Sequence, residues 1–463
     1  MSLDGTSSRW RPRKLAADGP RYLALVGALE QDIADGRLSD GDRLAPHRDL
    51  ARELNLSVGT VSKAYQEAEQ RGIVSGHVGQ GTFVRRRSAA GGEVASTRHE
   101  PVNLALNVPA QGSETQILSA LFGEVVRERD LAPLLGYHPH GGIRRHREII
   151  AASLSDTTFT VETARLFLCN GAQHAIDVAL RLVAKPGDSV LVDAYTYSGF
   201  KAIAAASHLN LVPVEMDGEG LDPGALKQAC RTSKARVLYC MPTLQSPTAR
   251  TMSLARRQSI AEVAEELDLA VIEDDVYGCF FTERPVPIAS LAPIRTFYVT
   301  SYSKCLAPAF RLGTLTVPTA YVAQAELLLH ASAWFVAPMV SETVLRLIER
   351  GKLEELLRER RLQALERYRA FLDVFPKAER LQFPAFYGWL PLPQGWSADQ
   401  FAVAARARSI LVTPRIASAV GDTEPGAVRI CLGAPKNLKE LSDVLQTLYD
   451  ILRRHPVNVV SVA

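Results

Sequence analysis

Cysteines and long apolar runs are both scarce in this sequence, and each scarcity excludes a class of protein. The 463 residues include six cysteines, and no two of them form a C-x-x-C pair. This usage argues against a disulfide framework and predicts reduced thiols in a cytoplasmic protein. No apolar run is long enough to cross a membrane, and residues 1–20 have no apolar signal core. We therefore expect a cytoplasmic protein with no membrane partner.

Metal-binding patterns are also missing. His138, His140 and His146 lie close together, but no set of cysteines or carboxylates nearby completes a zinc site. We expect no metal ion.

Net charge is small, and it is unevenly placed. The whole chain has a formal charge of +3. Residues 1–87 hold fourteen Lys and Arg against eleven Asp and Glu, so this first part carries the entire excess. Basic charge is needed to contact DNA phosphates, and its location favours a nucleic-acid partner for the N-terminal part.

Apolar spacing over residues 20–84 predicts three helices followed by a β-hairpin. The first helix has its stripe at Tyr22, Leu25, Val26, Leu29 and Ile33. A short helix is expected over residues 47–54, and a third begins after a Ser57 cap and runs to about residue 70. Residues 73–84 have the pattern of a hairpin. This order is that of a winged helix-turn-helix, although a small three-helix interaction module has the same pattern.

The same segment resembles the GntR-family DNA-binding domain. The resemblance rests on Gly41-Asp-Arg-Leu, His47-Arg-Asp-Leu-Ala, Ser57-Val-Gly-Thr-Val and Gly79-Gln-Gly-Thr-Phe-Val. The family often has an arginine where Val58 stands, so one guanine contact is expected to be missing. The residues that the resemblance implies to face double-stranded DNA are Arg48, Ser57, Thr60, Ser62, Lys63 and, in the wing, Gly79.

A lysine between hydroxyls characterises the larger part of the chain. Ser301-Tyr-Ser-Lys304 follows an aromatic and β-branched run that predicts a strand, and Arg311 comes seven residues after the lysine. An amine beside serines and an arginine suits an imine formed next to a bound phosphate, which is the chemistry of pyridoxal phosphate. A solvated loop lysine is the alternative interpretation of the motif taken alone.

Acids and an aromatic follow an apolar strand 30 residues upstream of that lysine. Asp274 and Tyr277 stand in a D-x-x-Y pattern. Pyridoxal phosphate needs a carboxylate against its ring nitrogen and gains from a phenol near O3′. Two acids at a strand end also suit a metal site or a helix cap, but the pairing with Lys304 favours the cofactor.

Three further patterns agree with this interpretation. Gly171 ends a strand and opens a helix whose free N–H groups can bind phosphate. Tyr197 follows another strand and can stack on a ring or simply pack there. Arg429 lies inside an apolar strand, where its charge needs a partner. A substrate carboxylate and an internal Asp or Glu are both possible partners.

Taken in order, these motifs over residues 101–455 resemble the fold-type I pyridoxal phosphate enzymes, the aspartate aminotransferase-like class. The resemblance implies that Lys304 forms the Schiff base, Asp274 pairs with the ring nitrogen, Tyr277 bonds O3′ and Tyr197 stacks on the ring. It implies that Arg429 takes a substrate carboxylate. Tyr137 would reach the phosphate of a neighbouring subunit, which predicts a homodimer. The implied phosphate ligands are Ala172, Gln173, Ser301, Ser303 and Arg311.

One motif departs from that class. Aminotransferases usually carry Asn-Pro-x-Gly where this chain has Ser246-Pro-Thr-Ala. The shorter serine takes the place of an asparagine that bonds O3′, so the tuning of the cofactor ring is expected to differ.

The order of the two parts resembles the MocR-type regulators of the GntR family. We predict an α/β protein with a winged helix-turn-helix over residues 15–84 and a linker over residues 85–100. A pyridoxal phosphate-binding aminotransferase-like domain, with a mainly parallel sheet, covers residues 101–455. Its small C-terminal α/β lobe spans about residues 345–455.

The predicted function is a transcription regulator that binds an operator and senses an amine or amino acid by imine exchange at Lys304. A working aminotransferase that also binds DNA is the first alternative. The second is a cofactor-free dimerisation scaffold, against which Lys304, Asp274 and Arg311 argue.

Overall fold

The computed structural model describes residues 10–12, 20–35, 37–38, 42, 44–70, 73–77, 81–84, 101–128, 131–381, 384–421 and 426–454. The chain divides into two units, Met1–Arg98 and His99–Ala463. The predicted linker at residues 85–100 and the wing residue Gly79 lie outside the described residues. Among the described residues, no helix is long and apolar enough to cross a membrane.

The N-terminal unit consists of three helices and a hairpin. The elements are α1 (Arg21–Ala34), α2 (His47–Glu53), α3 (Val58–Gln70), β1 (Val74–His77) and β2 (Gly81–Val84). The two strands pair antiparallel, with Val74 opposite Val84. One apolar core joins the helices because their apolar residues recur at helical spacing. Its helical members include Leu25, Val26, Leu29, Ile33, Leu50, Ala51, Val61, Ala64, Tyr65 and Ala68.

The first half of the second unit alternates helices and strands. Its elements are β3 (Val102–Asn103), α4 (Glu114–Val126), α5 (Ala132–Leu135), α6 (Arg144–Leu154), β4 (Leu166–Cys169), α7 (Ala172–Val183), β5 (Ser189–Asp193), α8 (Ser198–Ala206), β6 (Asn210–Val214), β7 (Met216–Asp217), β8 (Gly220–Leu221), α9 (Pro223–Ser233), β9 (Val237–Cys240), α10 (Leu254–Glu266), β10 (Ala270–Asp274), α11 (Ile288–Leu291), β11 (Thr296–Ser301) and β12 (Gly313–Thr316).

Helices dominate the remainder, which ends in a small lobe. Its elements are α12 (Val322–Ser332), α13 (Pro338–Glu349), α14 (Lys352–Val374), β13 (Tyr387–Pro391), α15 (Ala398–Arg406), β14 (Ile410–Leu411), α16 (Arg415–Ser418), β15 (Ala427–Cys431) and α17 (Leu438–Leu452).

A seven-stranded sheet in the order β4-β12-β11-β10-β9-β5-β6 forms the centre of this unit. β12 runs antiparallel to both its neighbours, and the other strands are parallel to one another. β4, β9, β11 and β12 are buried at every position, as expected for strands covered on both faces. The carboxyl ends of the parallel strands share one edge, where open α/β sheets bind their ligands.

The small lobe is built on two short strand pairs. β13 and β15 are antiparallel, and Trp389 stands opposite Arg429. β14 pairs parallel with β3, so the start of this unit is part of the lobe. α14, α15 and α17 contribute to an apolar core of their own, which contains Phe371, Phe401 and Leu445.

Candidate active site

A cavity of about 410 Å³ opens at the carboxyl edge of the central sheet. Lys304 follows β11 and Asp274 ends β10, and both line it because those strands are adjacent and parallel. The cavity brings together the residues predicted to bind a cofactor or effector, apart from Tyr137. They are Ala172, Gln173, Tyr197, Ser246, Asp274, Tyr277, Ser301, Ser303, Lys304, Arg311 and Arg429.

Lys304 has an amine suited to nucleophilic attack near neutral pH. Burial lowers the pKa of the Lys304 amine to about 8, and the charge of Arg429 acts in the same direction. Nζ donates a hydrogen bond to the backbone carbonyl of Asn107 at 2.6 Å. A minor fraction of the amine is therefore uncharged at physiological pH, and imine formation requires that form.

Asp274 is a buried carboxyl with few partners. Tyr239 donates its hydroxyl to Oδ2 at 2.8 Å, and the N–H of Val276 donates to Oδ1 at 3.4 Å. Burial raises the pKa of Asp274 to about 6, and these two hydrogen bonds only partly oppose the shift. A carboxyl in this position fits a protonated ring nitrogen. The cation would stabilise the carboxylate in place of the water that burial excludes.

Glycines allow a close approach of backbone and guanidinium at the opposite end of the cavity. Gly171 precedes α7 with φ of +82°, and a Cβ there would lie 2.8 Å from Nη2 of Arg311. A Cβ on Gly313 would lie 2.6 Å from the Gly171 carbonyl carbon and 2.7 Å from the Ala172 nitrogen. Arg311 and the free N–H groups of the 12-residue helix α7 are thus held side by side. This pair fits a phosphate dianion.

Two serines stand beside this anion-binding end. Ser301 Oγ donates to Ser303 Oγ at 3.1 Å and accepts the Ser303 N–H at 3.1 Å. Both serines line the cavity, and the Ser301 hydroxyl also lies 3.2 Å from the Leu312 carbonyl, which it can exchange for a phosphate oxygen as acceptor.

Tyrosines form two walls of the cavity. Tyr197 precedes α8, and burial, followed by the charge of Asp274, raises its pKa. The Tyr277 hydroxyl accepts a hydrogen bond from the Asn107 side-chain amide at 2.5 Å. Burial raises the pKa of Tyr277 well above the usual value, so this phenol is neutral and can donate to a cofactor oxygen.

Arg429 is oriented by neutral acceptors. Its Nη1 donates to Ser246 Oγ at 3.1 Å, while Nη2 donates to the Ala105 carbonyl at 2.5 Å and to Thr413 Oγ1 at 3.3 Å. Its Nε is buried without a partner, and no ion pair with an Asp or Glu is found within the described parts of the chain. An internal carboxylate partner, one of the two sequence-based alternatives, is therefore not what the structure shows there.

Tyr137 lies away from the cavity. It is 85% exposed and packs beside Trp334 and Phe335, with ring centroids 5.6 and 6.3 Å away. Its contact with a neighbouring subunit stays a prediction.

Of the residues predicted to contact DNA, Ser57 precedes α3, Thr60, Ser62 and Lys63 lie on its first turns, and Arg48 lies on α2. Ser57 Oγ accepts the Thr60 N–H at 3.1 Å, as expected of a helix cap. Lys63 places its ammonium 4.2 Å from the centre of the Tyr22 ring, and Arg48 is exposed on α2. Ser62 Oγ instead contacts Nδ1 of His47 at 3.0 Å, so this hydroxyl links α3 to α2.

Two residues of the cavity region were not predicted from the sequence. Asn107 contacts Lys304 and Tyr277, and its polar side chain within Leu104-Ala-Leu-Asn-Val-Pro was the available signal. Tyr239 bonds Asp274 and stacks on Phe200 with ring centroids 3.8 Å apart. Its place in the apolar run Val237-Leu-Tyr-Cys gave no sign of this role.

Two family profiles cover most of the chain. The profile described as aminotransferase class I and II matches residues 99–447. The profile described as bacterial regulatory proteins, gntR family, matches residues 21–84.

Curated relatives share both parts. The uncharacterized HTH-type transcriptional regulator YdeF of Bacillus subtilis is 30% identical over 456 residues, which are 97% of this chain and 98% of that protein. The uncharacterized HTH-type transcriptional regulator YjiR of Escherichia coli is 26% identical and covers 81% of this chain and 86% of its own.

Among solved structures, the kynurenine aminotransferase of Pyrococcus horikoshii superposes with a TM-score of 0.70 at 21% identity. The match covers 77% of this chain and 91% of that one. LysN of Thermus thermophilus, an α-aminoadipate aminotransferase, gives 0.70 at 21% identity and covers 79% and 94%. These likenesses concern the fold.

The profile and relative matches confirm the predicted resemblance in both parts, and with the superpositions they confirm the α/β fold class. The aminotransferase class I and II assignment also confirms pyridoxal phosphate as the cofactor of the larger unit. The gntR assignment makes the N-terminal unit a DNA-binding domain.

Proposed function

The chain belongs to the gntR family of bacterial regulatory proteins, in the MocR-type arrangement with a class I and II aminotransferase domain, and we propose that it senses an amine or amino acid. Sensing would occur by imine exchange at Lys304 and would change operator binding by the N-terminal unit. The observation that carries this proposal is the cavity, in which a low-pKa amine, a buried carboxyl and an anion-binding end lie together.

The cavity residues have complementary roles toward cofactor and effector. Pyridoxal phosphate supplies an aldehyde that condenses reversibly with amines. Arg311, the start of α7 and the two serines would hold its phosphate, with Asp274 at the ring nitrogen and Tyr277 at O3′. Tyr197 would cover the ring. Arg429 would bind the effector carboxylate, since its guanidinium already lines the cavity and is bonded only to neutral groups.

A regulator is favoured over an enzyme because Ser246 stands where aminotransferases carry the asparagine that bonds O3′. The hydroxyl of Ser246 accepts a hydrogen bond from Arg429, so this residue orients the arginine. The fit of Lys304, Asp274 and Tyr277 is the observation that favours transaminase activity as the second candidate. Turnover of an amino acid with a keto acid separates the two.

DNA recognition is proposed for the N-terminal unit through α3. Arg48, Ser57, Thr60 and Lys63 would contact the operator, with Ser62 at the junction of the helices and Gly79 in the wing. A homodimer, in which Tyr137 of each subunit reaches the neighbouring phosphate, would present two such helices to two half-sites.

The proposal is tested with Lys304→Ala and with Lys439→Ala, a change at an exposed lysine on α17, as the control. An operator duplex is first selected from random-sequence DNA by the purified wild type. We expect the control to keep the visible absorbance of the cofactor and a covalent lysine adduct after borohydride reduction. Lys304→Ala should lose both and should no longer change operator affinity when amines are added. An adduct that persists in Lys304→Ala would show that another lysine holds the cofactor.

A further inference from the structure

The segment at residues 101–110 connects the linker region of the sequence to the cavity. It directly follows the predicted linker, and its first residues form β3 in the small lobe. The Leu104 N–H bonds the Leu411 carbonyl, and the Cys431 N–H bonds the Leu104 carbonyl. Farther along, Ala105, Leu106, Asn107 and Val108 line the cavity. In sequence, this segment is therefore the first part of the larger unit after the linker.

Two backbone carbonyls of this segment accept hydrogen bonds from Arg429 and Lys304, two of the cations that line the cavity. Arg429 Nη2 donates to the Ala105 carbonyl at 2.5 Å. Lys304 Nζ donates to the Asn107 carbonyl at 2.6 Å. These are the groups expected to bind the carboxylate and to exchange with the amine of an amino acid, so both ends of one effector act on the same short stretch of backbone.

The side chain of Asn107 adds a third connection. Its amide donates to the Tyr277 hydroxyl at 2.5 Å, so residue 107 touches both Lys304 and the tyrosine proposed for O3′. A change at the cofactor would therefore reach Asn107 through its carbonyl and its side chain together.

We propose that the 101–110 segment transmits effector binding, with Asn107 as its positioning residue; this rests on the proposed function. A lysine nitrogen bonded to the cofactor carries at most one proton, whereas a released ammonium carries three. Release of Lys304 thus provides the donor for the Asn107 carbonyl. An effector carboxylate competes for the Arg429 donors and weakens the bond to the Ala105 carbonyl. One bond is made and the other is loosened, which shifts the segment.

This arrangement makes the response depend on both ends of the effector. An amine without a carboxylate would release Lys304 but leave the bond between Arg429 and Ala105 in place. An amino acid would change both bonds. The segment therefore requires an effector that carries both groups for the full response.

Two oxyamines that differ in one group provide the test. Aminooxyacetate carries an oxyamine and a carboxylate, and methoxyamine carries the oxyamine alone. Hydrogen–deuterium exchange is measured on the full-length holoprotein over peptides covering residues 101–110, and operator affinity is measured in parallel. We expect aminooxyacetate to change exchange in this segment and to shift operator affinity by ~5-fold or more. Methoxyamine should bleach the cofactor absorbance equally and produce a smaller shift.

A variant pair tests Asn107 itself. Asn107→Ala should reduce the operator response to aminooxyacetate, measured at saturating cofactor so that a change in cofactor affinity does not enter the comparison. Gln111→Ala, at an exposed side chain just beyond the segment, should respond like the wild type. If Asn107→Ala does not fold, the exchange measurement on the wild type still tests whether the 101–110 segment responds to the effector.

The outcomes separate this inference from the proposed function. An operator response without altered exchange in residues 101–110, or a full response to methoxyamine, overturns the role of the segment but leaves sensing in place. A full response from Asn107→Ala overturns the role given to the Asn107 side chain. If aminooxyacetate changes neither the cofactor absorbance nor the operator affinity, the proposed sensing function is overturned, and the role of the segment with it.

Discussion

Arg429 donates a hydrogen bond from Nη1 to the hydroxyl of Ser246 at 3.1 Å. The two residues are 183 positions apart and meet across the cavity between the central sheet and the small lobe. The serine side chain is short, and its hydroxyl accepts this hydrogen bond from the guanidinium. The residue that departs from the aminotransferase pattern thus orients the cation that we propose for the effector carboxylate.

Ser246→Ala should weaken binding of carboxylate-bearing effectors specifically. The loss of one hydrogen bond to a charged donor costs about 1.5–3 kcal/mol, which is roughly ten-fold or more in affinity. Spectral titration should show this loss for aminooxyacetate and none for methoxyamine. Ser442→Ala, at an exposed serine on α17, serves as the control. An equal loss for both oxyamines would mean that Ser246 acts on the cofactor and not through Arg429.

Gly313→Ala should destabilise the large unit and its anion-binding end. The added Cβ would lie within 2.9 Å of three backbone atoms, in Gly171, Ala172 and Thr300, and backbone cannot move aside cheaply. We expect a loss of about 1–3 kcal/mol or more in the free energy of unfolding. Gly218→Ala, where a Cβ would meet nothing within 4 Å, is the matched control. Equal denaturation midpoints for the two variants would contradict the packing described here.

Most elements could be predicted because their patterns are local. The stripe at Leu25, Val26, Leu29 and Ile33 repeats at helical spacing, and these residues are buried as predicted. The strand before Lys304 was visible as a run of β-branched and aromatic residues, and it is β11. The motifs at Gly171, Tyr197, Asp274 and Lys304 could be placed together because each ends or follows such a strand, and parallel strands end at one edge.

The contacts made by Asn107 could not be predicted in the same way. This residue is 170 positions from Tyr277 and 197 from Lys304, and no local periodicity encodes such pairs. Ser62 shows a related limit. Helical spacing placed it away from the buried face of α3, but only the packing of α2 reveals its contact with His47. Tyr137 stays a prediction because its proposed partner belongs to another subunit.

Lys63→Ala and Arg48→Ala should each weaken operator binding and reduce its salt dependence. Removing one phosphate contact lowers the slope of log affinity against log salt by about one unit. For Lys63, the Tyr22 ring holds the ammonium in place, so Tyr22→Leu should produce a smaller effect in the same direction. Lys439→Ala controls for the lost charge. Unchanged slopes for both single variants would move the DNA surface to another part of the N-terminal region, such as Arg85, Arg86 and Arg87.

Asp274→Asn should raise the free energy of unfolding of the cofactor-free protein and lower that of the protein with bound cofactor. Burial raises the carboxyl pKa from 3.8 to about 6, so the folded state favours the protonated form. A raised carboxyl pKa adds a penalty that is absent below pH ~4, grows as the pH rises and is complete above pH ~6. Two pKa units correspond to about 3 kcal/mol, so the neutral amide should raise the free energy of unfolding by about 3 kcal/mol at pH 8 and by roughly half as much at pH 5.

Tyr239 can still donate to the amide oxygen, so the variant keeps the shorter of the two hydrogen bonds that Asp274 accepts now. Bound cofactor should reverse the sign, because the protonated ring nitrogen would pair with a carboxylate and not with an amide. Urea unfolding of both proteins, with the cofactor removed and restored, measures the two effects, and Asp443→Asn at an exposed position on α17 controls for charge. A cofactor-free Asp274→Asn protein that is less stable than the wild type at pH 8 would mean that the carboxylate already has a favourable partner. The pairing of Asp274 with the ring nitrogen would then lose its support.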